Sequence, residues 1–84
     1  RMLKTAPEVN LYIEYNDNRT MDKLLQEFRE RGMKILNMGI IHSKSNEKHN
    51  ACAIFTLRLH KGMDLDQIQK YIQATAGVVS VREL

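Results

Sequence analysis

Residues 51–59, Ala-Cys-Ala-Ile-Phe-Thr-Leu-Arg-Leu, are apolar at every odd position: Ala51, Ala53, Phe55, Leu57 and Leu59. The even positions, Cys52, Ile54, Thr56 and Arg58, are mixed. Alternation of period two with β-branched and aromatic members predicts a strand that buries one face. The second face is only half polar, which predicts an inner strand of a sheet rather than an edge. The rest of the chain folds around this strand as two similar halves.

The preceding half opens with Arg1 to Glu8, which lack periodicity and contain Pro7; they are expected to be a linker or arm, with one domain over 9–84. Val9, Leu11, Ile13 and Tyr15 alternate with polar residues and predict a first strand. Asn16-Asp17-Asn18-Arg19 is turn chemistry, and Thr20 is expected to be the N-cap of a helix. Met21, Leu24, Leu25 and Phe28 give that helix its apolar stripe, which Gly32 stops. Met33 to Lys44 predict the next strand, with Leu36, Met38 and Ile40 on one face and Ile35, Asn37, Gly39 and Ile41 on the other. Residues 43–50 are wholly polar and predict a hairpin tip into the central strand.

In the second half, Asp64 and Gln67 stand three apart, as in a capping box. Leu65, Ile68 and Ile72 mark a second helix, Ala76-Gly77 its stop, and Val78 to Leu84 a last strand. The order is β-α-β-β-α-β. Right-handed crossovers leave a gap beside the first strand, which the central strand fills antiparallel to its neighbours. The expected fold is therefore α+β and ferredoxin-like, with sheet order 4-1-3-2 and two helices on one face. The opposite face is left bare. Tyr12, Ile35, Ile41 and Ile54 are expected to form an interface there, beside Glu14, Asn37, Cys52 and Thr56, with a second copy or a neighbouring domain as partner.

Little chemistry competes with that reading. Eighty-four residues make one thin-cored domain. The net charge of +3 is spread along the chain, aromatics are 6% and tryptophan is absent, so no nucleic-acid footprint is present. One cysteine, Cys52, excludes an internal disulfide and fits a reducing compartment. His42, His49 and Cys52 lack the tight spacing of a zinc site, and Asp64 and Asp66 are accounted for by a helix start; no metal or cofactor is expected. No phosphate loop, nucleophile elbow or H-E-x-x-H is present, so no enzyme is expected. Asn16, Asp17, Asn18 and Arg19, where amides converge on a helix N-terminus, are the candidate ligand-binding residues, weighed against an ordinary capped turn.

The βαββαβ order and the closing Gly77-Val78-Val79-Ser80-Val81-Arg82-Glu83-Leu84 resemble ACT domains, which sense small molecules and pair through their sheets. Closer still, Leu11-Tyr12-Ile13-Glu14-Tyr15, Arg31-Gly32-Met33-Lys34-Ile35-Leu36 and Ala53 to Leu59 resemble the C-terminal cytosolic domain of MgtC/SapB membrane proteins. The resemblance runs from Val9 to Leu84. It implies a bacterial inner-membrane parent associated with magnesium limitation and virulence, whose soluble cytoplasmic tail this is, tethered by Arg1 to Glu8. The first residue, Arg1, fits a piece of a longer chain. Amino-acid-binding ACT domains place a glycine at the first strand–helix turn; Asn16 to Thr20 hold none, so no amino-acid site is carried over. A ligand-sensing ACT module attached to a metabolic or stringent-response enzyme is the alternative.

Overall fold

A computed structural model describes residues 6–41 and 50–84. The elements are β1 (Glu8–Tyr15), α1 (Asn18–Glu30), β2 (Lys34–Ile41), β3 (Ala51–Arg58), α2 (Leu65–Ala74) and β4 (Val78–Glu83). They form an α+β domain with a four-stranded antiparallel sheet in the order β2-β3-β1-β4, which is the expected order counted from the other edge. The hairpin tip and both His42 and His49 lie outside the described residues.

Register explains the core. Val9 faces Leu57, Leu11 faces Phe55 and Ile13 faces Ala53 across β1 and β3. Since paired residues share a face, these side chains all project to one side, where Met21, Leu24 and Phe28 of α1 and Ile68 and Ile72 of α2 meet them. Both helices therefore pack on the same side of the sheet. At the centre, the Phe28 ring stands edge-on to Phe55 with centroids 5.2 Å apart, the arrangement aromatic quadrupoles favour.

Four local features differ from the sequence-based expectation. Asp17, not Thr20, caps α1: its carboxylate accepts the Thr20 N–H at 3.0 Å. Thr20 instead sits buried inside the first turn and donates its hydroxyl to Asn16 Oδ1 at 2.9 Å. β2 begins at Lys34, because Met33 is buried beneath the turn and its N–H closes on the Phe28 carbonyl at 2.8 Å. Residues 42–44 of the expected strand are outside the described region. At the other end of the chain, Glu8 already belongs to β1, and the Pro7 carbonyl accepts the Leu59 N–H at 2.9 Å.

The fourth difference changes a face. Between Ile35 and Asn37 the β2–β3 register slips, so Ile35 pairs with Leu57 while Asn37 pairs with Thr56. Leu36 is the extra residue of this bulge, and a bulge shifts the alternation by one. Ile35 therefore packs against the core on the helix side, and the reading that placed it with Ile41 on the bare face is corrected.

Connectivity sets what the helices cover. α1 leaves the end of β1 at Tyr15 and delivers the chain to the start of β2 at Lys34. Its first turn thus lies near the end of β1 and its last near the beginning of β2, so it crosses the sheet obliquely. The second half of β2 is left bare: Met38 and Ile40 face the helix side, opposite buried Phe55 and Ala53, yet are 38% and 46% exposed.

Candidate functional site

Four ranks of side chains define the side of the sheet away from the helices, the outermost being Glu8, Arg58 and Lys34. The central rank reads Arg82, Tyr12, Ile54, Gly39 from β4 to β2. Above it run Ser80, Glu14, Cys52 and Ile41; below it Asn10, Thr56 and Asn37. Tyr12, Ile41 and Ile54 are thus brought together as expected, without Ile35.

Polar groups knit the rim of this surface. Thr56 Oγ1 donates to Asn10 Oδ1 at 2.7 Å, and Asn50 Nδ2 donates to Glu14 Oε2 at 2.9 Å. Arg58 Nη2 donates to Glu8 Oε2 at 2.8 Å in a half-exposed ion pair, a class that contributes little in water. The Arg82 guanidinium lies over the Tyr12 ring, 4.9 Å from its centroid. The phenol of Tyr12 is held above its ordinary pKa, first by its hydrogen bond with Cys52, then by burial and the nearby Cys52 and Glu14 charges, which outweigh Arg82. Cys52 is a free thiol, 6% exposed beneath these neighbours. The surface is an apolar strip bounded by polar pairs, in which Arg58 Nε is buried without a partner among the described residues. Such a strip suits contact with another folded surface, since its polar groups converge on no common point.

A second region lies at the β1–α1 turn. Asn16, Asp17, Arg19, Thr20, Lys23 and Gly77 line an open depression of about 290 Å³. The turn is locked to the segment before β4: Asn16 N–H donates to the Gly77 carbonyl at 2.9 Å. Gly77 has φ +91°, and a Cβ there would overlap Thr20 Oγ1 and stand 2.7 Å from Asn16 Oδ1. The glycine needed for close approach at this corner is therefore Gly77, outside the first strand–helix turn. Asp17 carries its negative charge at the helix start, its pKa lowered first by the Thr20 backbone N–H. The chain's own carboxylate fills the role an anion would take there. Of the four candidate ligand residues, Asp17 caps α1 and Asn16 accepts the Thr20 hydroxyl; Arg19 lines the depression and Asn18 begins α1.

The sequence reading missed Tyr71. Its ring lies under the Arg31 guanidinium at 3.7 Å and joins α2 to the end of α1. Tyr71, Arg31, Met63, Asp64, Gln67 and Ile68 line a depression of about 180 Å³. The Tyr71 hydroxyl is buried without a hydrogen-bond partner among the described residues, and its pKa is pushed up to about 12, chiefly by burial and then by the Glu27 charge. A tyrosine on the flank of an apolar stripe carries no sequence signal of this pairing, because Arg31 lies beyond the end of the other helix. Asp64 caps α2 by accepting the Asp66 N–H at 2.9 Å, and among the described residues no group of three His, Cys, Asp or Glu is arranged to hold a metal ion. Among the described residues no helix is long and apolar enough to cross a membrane. No protein-family model matches the chain, and no curated protein matches it either.

Proposed function

We propose that this chain is a non-catalytic regulatory or interaction domain of the ferredoxin-like, ACT-like class, which self-associates through the side of its sheet that the helices leave open. The observation that carries this reading is the strip of Tyr12, Ile54 and Ile41 across three adjacent strands, framed by polar side chains already paired with one another. Contact surfaces combine an apolar centre with a polar rim in this way. The resemblance to the C-terminal domain of MgtC/SapB proteins extends the proposal to a parent in the bacterial inner membrane, with this domain on its cytoplasmic side. No cofactor and no nucleic acid enter this reading.

The test is Ile54→Lys, since Ile54 is half-buried at the centre of the strip and its environment is open on one side. The variant should keep the circular dichroism spectrum and melting behaviour of the parent while its association state in sedimentation velocity falls. An association state identical to that of the unaltered chain would overturn the choice of surface. Calorimetry with the common amino acids should show no heat; saturable micromolar binding would shift the assignment to the ligand-sensing alternative.

A further inference from the structure

The bulge in β2 is bracketed by two fixed points. On its near side the Met33 N–H closes on the Phe28 carbonyl at 2.8 Å, and Met33 is buried. On its far side Asn37 pairs with Thr56, Met38 with Phe55 and Ile40 with Ala53. Between these points three residues, Lys34, Ile35 and Leu36, stand opposite two, Arg58 and Leu57. One of the three must be the extra residue of the bulge, and in the structure it is Leu36. Ile35 pairs with Leu57 and packs against the core, while Leu36 is half-buried. This arrangement has a cost on the open side. Lys34 stands directly opposite Arg58, and like charges so placed destabilise a sheet. Glu8 compensates Arg58 only from the β1 flank, and Arg58 Nε is buried without a partner among the described residues.

We propose that the bulge has two positions, one at Leu36 and one at Lys34, and that the strand exchanges between them. Moving the extra residue to Lys34 sets Leu36 opposite Leu57 and Ile35 opposite Arg58, and leaves Met33 and Asn37 in place. Leucine then enters the core where isoleucine was. The two side chains are isomers of equal size, and volume-conserving exchanges are the core changes best tolerated. Register is fixed by which residues the buried face accepts, and here two neighbours qualify. The second position also takes Lys34 out of register with Arg58. It places Ile35, Asn37, Gly39 and Ile41 on one face, the unbroken alternation that the sequence itself displays. The consequence lies on the open side, which presents Lys34 opposite Arg58 in one position and Ile35 in the other. A partner seated on the strip of Tyr12, Ile54 and Ile41 gains an apolar neighbour only in the second, so its binding and the position of the bulge bias each other. That consequence rests on the reading of the open side as a contact surface; the exchange itself is internal to one copy and does not.

Nuclear magnetic resonance of the chain carrying Ile54→Lys, recorded at two protein concentrations, reads the exchange apart from association through the open face. Relaxation dispersion, which reports microsecond-to-millisecond exchange, should appear at the amides of residues 34–37, Leu57 and Arg58 and be the same at both concentrations. It should vanish in Leu36→Asn, where residue 36 no longer suits the core. Ile35→Asn should trap the other position, and the cross-strand backbone Overhauser contact of Leu57 should pass from residue 35 to residue 36. With neither position available, Ile35→Asn combined with Leu36→Asn should lower the melting midpoint by more than the two single changes together. Flat dispersion profiles, dispersion that scales with concentration, a Leu57 contact that stays at residue 35, or additive single and double variants would each overturn the exchange. So would an Ile35→Asn chain that fails to fold, since Leu36 would not have filled the site. None of these results bears on whether Ile54→Lys lowers the association state, which tests the open-face contact by itself.

Discussion

Gly77→Ala tests the interlock at the β1–α1 corner, and its cost can be worked out against an internal control. Gly77 and Gly62 have nearly the same φ, +91° and +89°. An L side chain in this left-handed region costs about 1–2 kcal/mol, and both replacements regain about 0.4–1 kcal/mol by restricting the unfolded chain. They differ in surroundings. A Cβ at Gly62 meets nothing within 4 Å, whereas at Gly77 it would overlap the Thr20 hydroxyl and crowd Asn16 Oδ1. Relief requires Thr20 to abandon its bonds to Asn16 and Asp17, each worth about 1 kcal/mol. Gly77→Ala should therefore destabilise by about 2 kcal/mol more than Gly62→Ala, lowering the melting midpoint by a further 8–16 °C or so for a domain of this size. An 84-residue domain has about 4–13 kcal/mol in total, so the variant should still fold and be measurable by urea denaturation with an unchanged slope. If the two variants agree within about 0.5 kcal/mol, the corner yields without cost and the interlock is not a stabilising element.

Asp17→Ala should lower the melting midpoint at neutral pH by removing the acceptor of the Thr20 N–H. Because the folded pKa of Asp17 is depressed, its contribution is present above the unfolded value near pH 3.9 and lost as pH falls through the folded value, so the two chains should converge in acid. Tyr71→Phe should leave stability at pH 7 unchanged or slightly raised, since the hydroxyl it removes is buried without a hydrogen-bond partner among the described residues. At alkaline pH the variant should gain on the parent: a folded pKa of about 12 against about 10 unfolded means stability falls between those values, by about 1–2 kcal/mol once partial exposure of the ring is allowed for. Denaturant midpoints followed from pH 9 to pH 12 check this, and parallel curves for the two chains would refute it.

Element order and sheet order were legible because each depends on a periodicity sustained over six or more residues and on the handedness of crossovers. The central strand, with Phe55 and Leu57 inward and Ile54 outward, is where that logic is strongest, and the structure places all three as expected. Ile35 shows its limit. A bulge adds one residue without any change in composition, so Ile35-Leu36-Asn37 reads as uninterrupted alternation although the side chains change faces at Leu36. The N-cap at Asp17 was missed for a related reason: Asp17, Asn18 and Thr20 are all competent caps, and which one acts depends on the corner held by Gly77. Alternation places Met38 and Ile40 on one face with Leu36, the face opposite the bare one, and says nothing of whether a helix covers them. Face is a local property, whereas cover depends on where α1 crosses the sheet.

That distinction between face and cover also decides which surface of this domain is open to partners. α1 spans 13 residues and α2 spans 10, about 20 and 15 Å of helix, against about 27 Å for an eight-residue strand. Two helices of that length cannot roof a sheet of such strands from end to end. The shortfall must appear somewhere, and chain connectivity assigns it to the distal half of β2, because α1 begins beside β1 and reaches β2 only at its start. The bulge compounds the effect by turning Ile35 into the covered part of the core, so that the apolar residues of β2 divide into a buried beginning and an exposed end. The surface available to partners thus runs from Tyr12 and Ile54 on the open side, through Ile41, around the edge to Ile40 and Met38. An apolar band that turns the corner of a sheet presents Ile54 on the open face and Ile40 on the helix side of the same edge, so apolar side chains lie on both sides of β2 and β3.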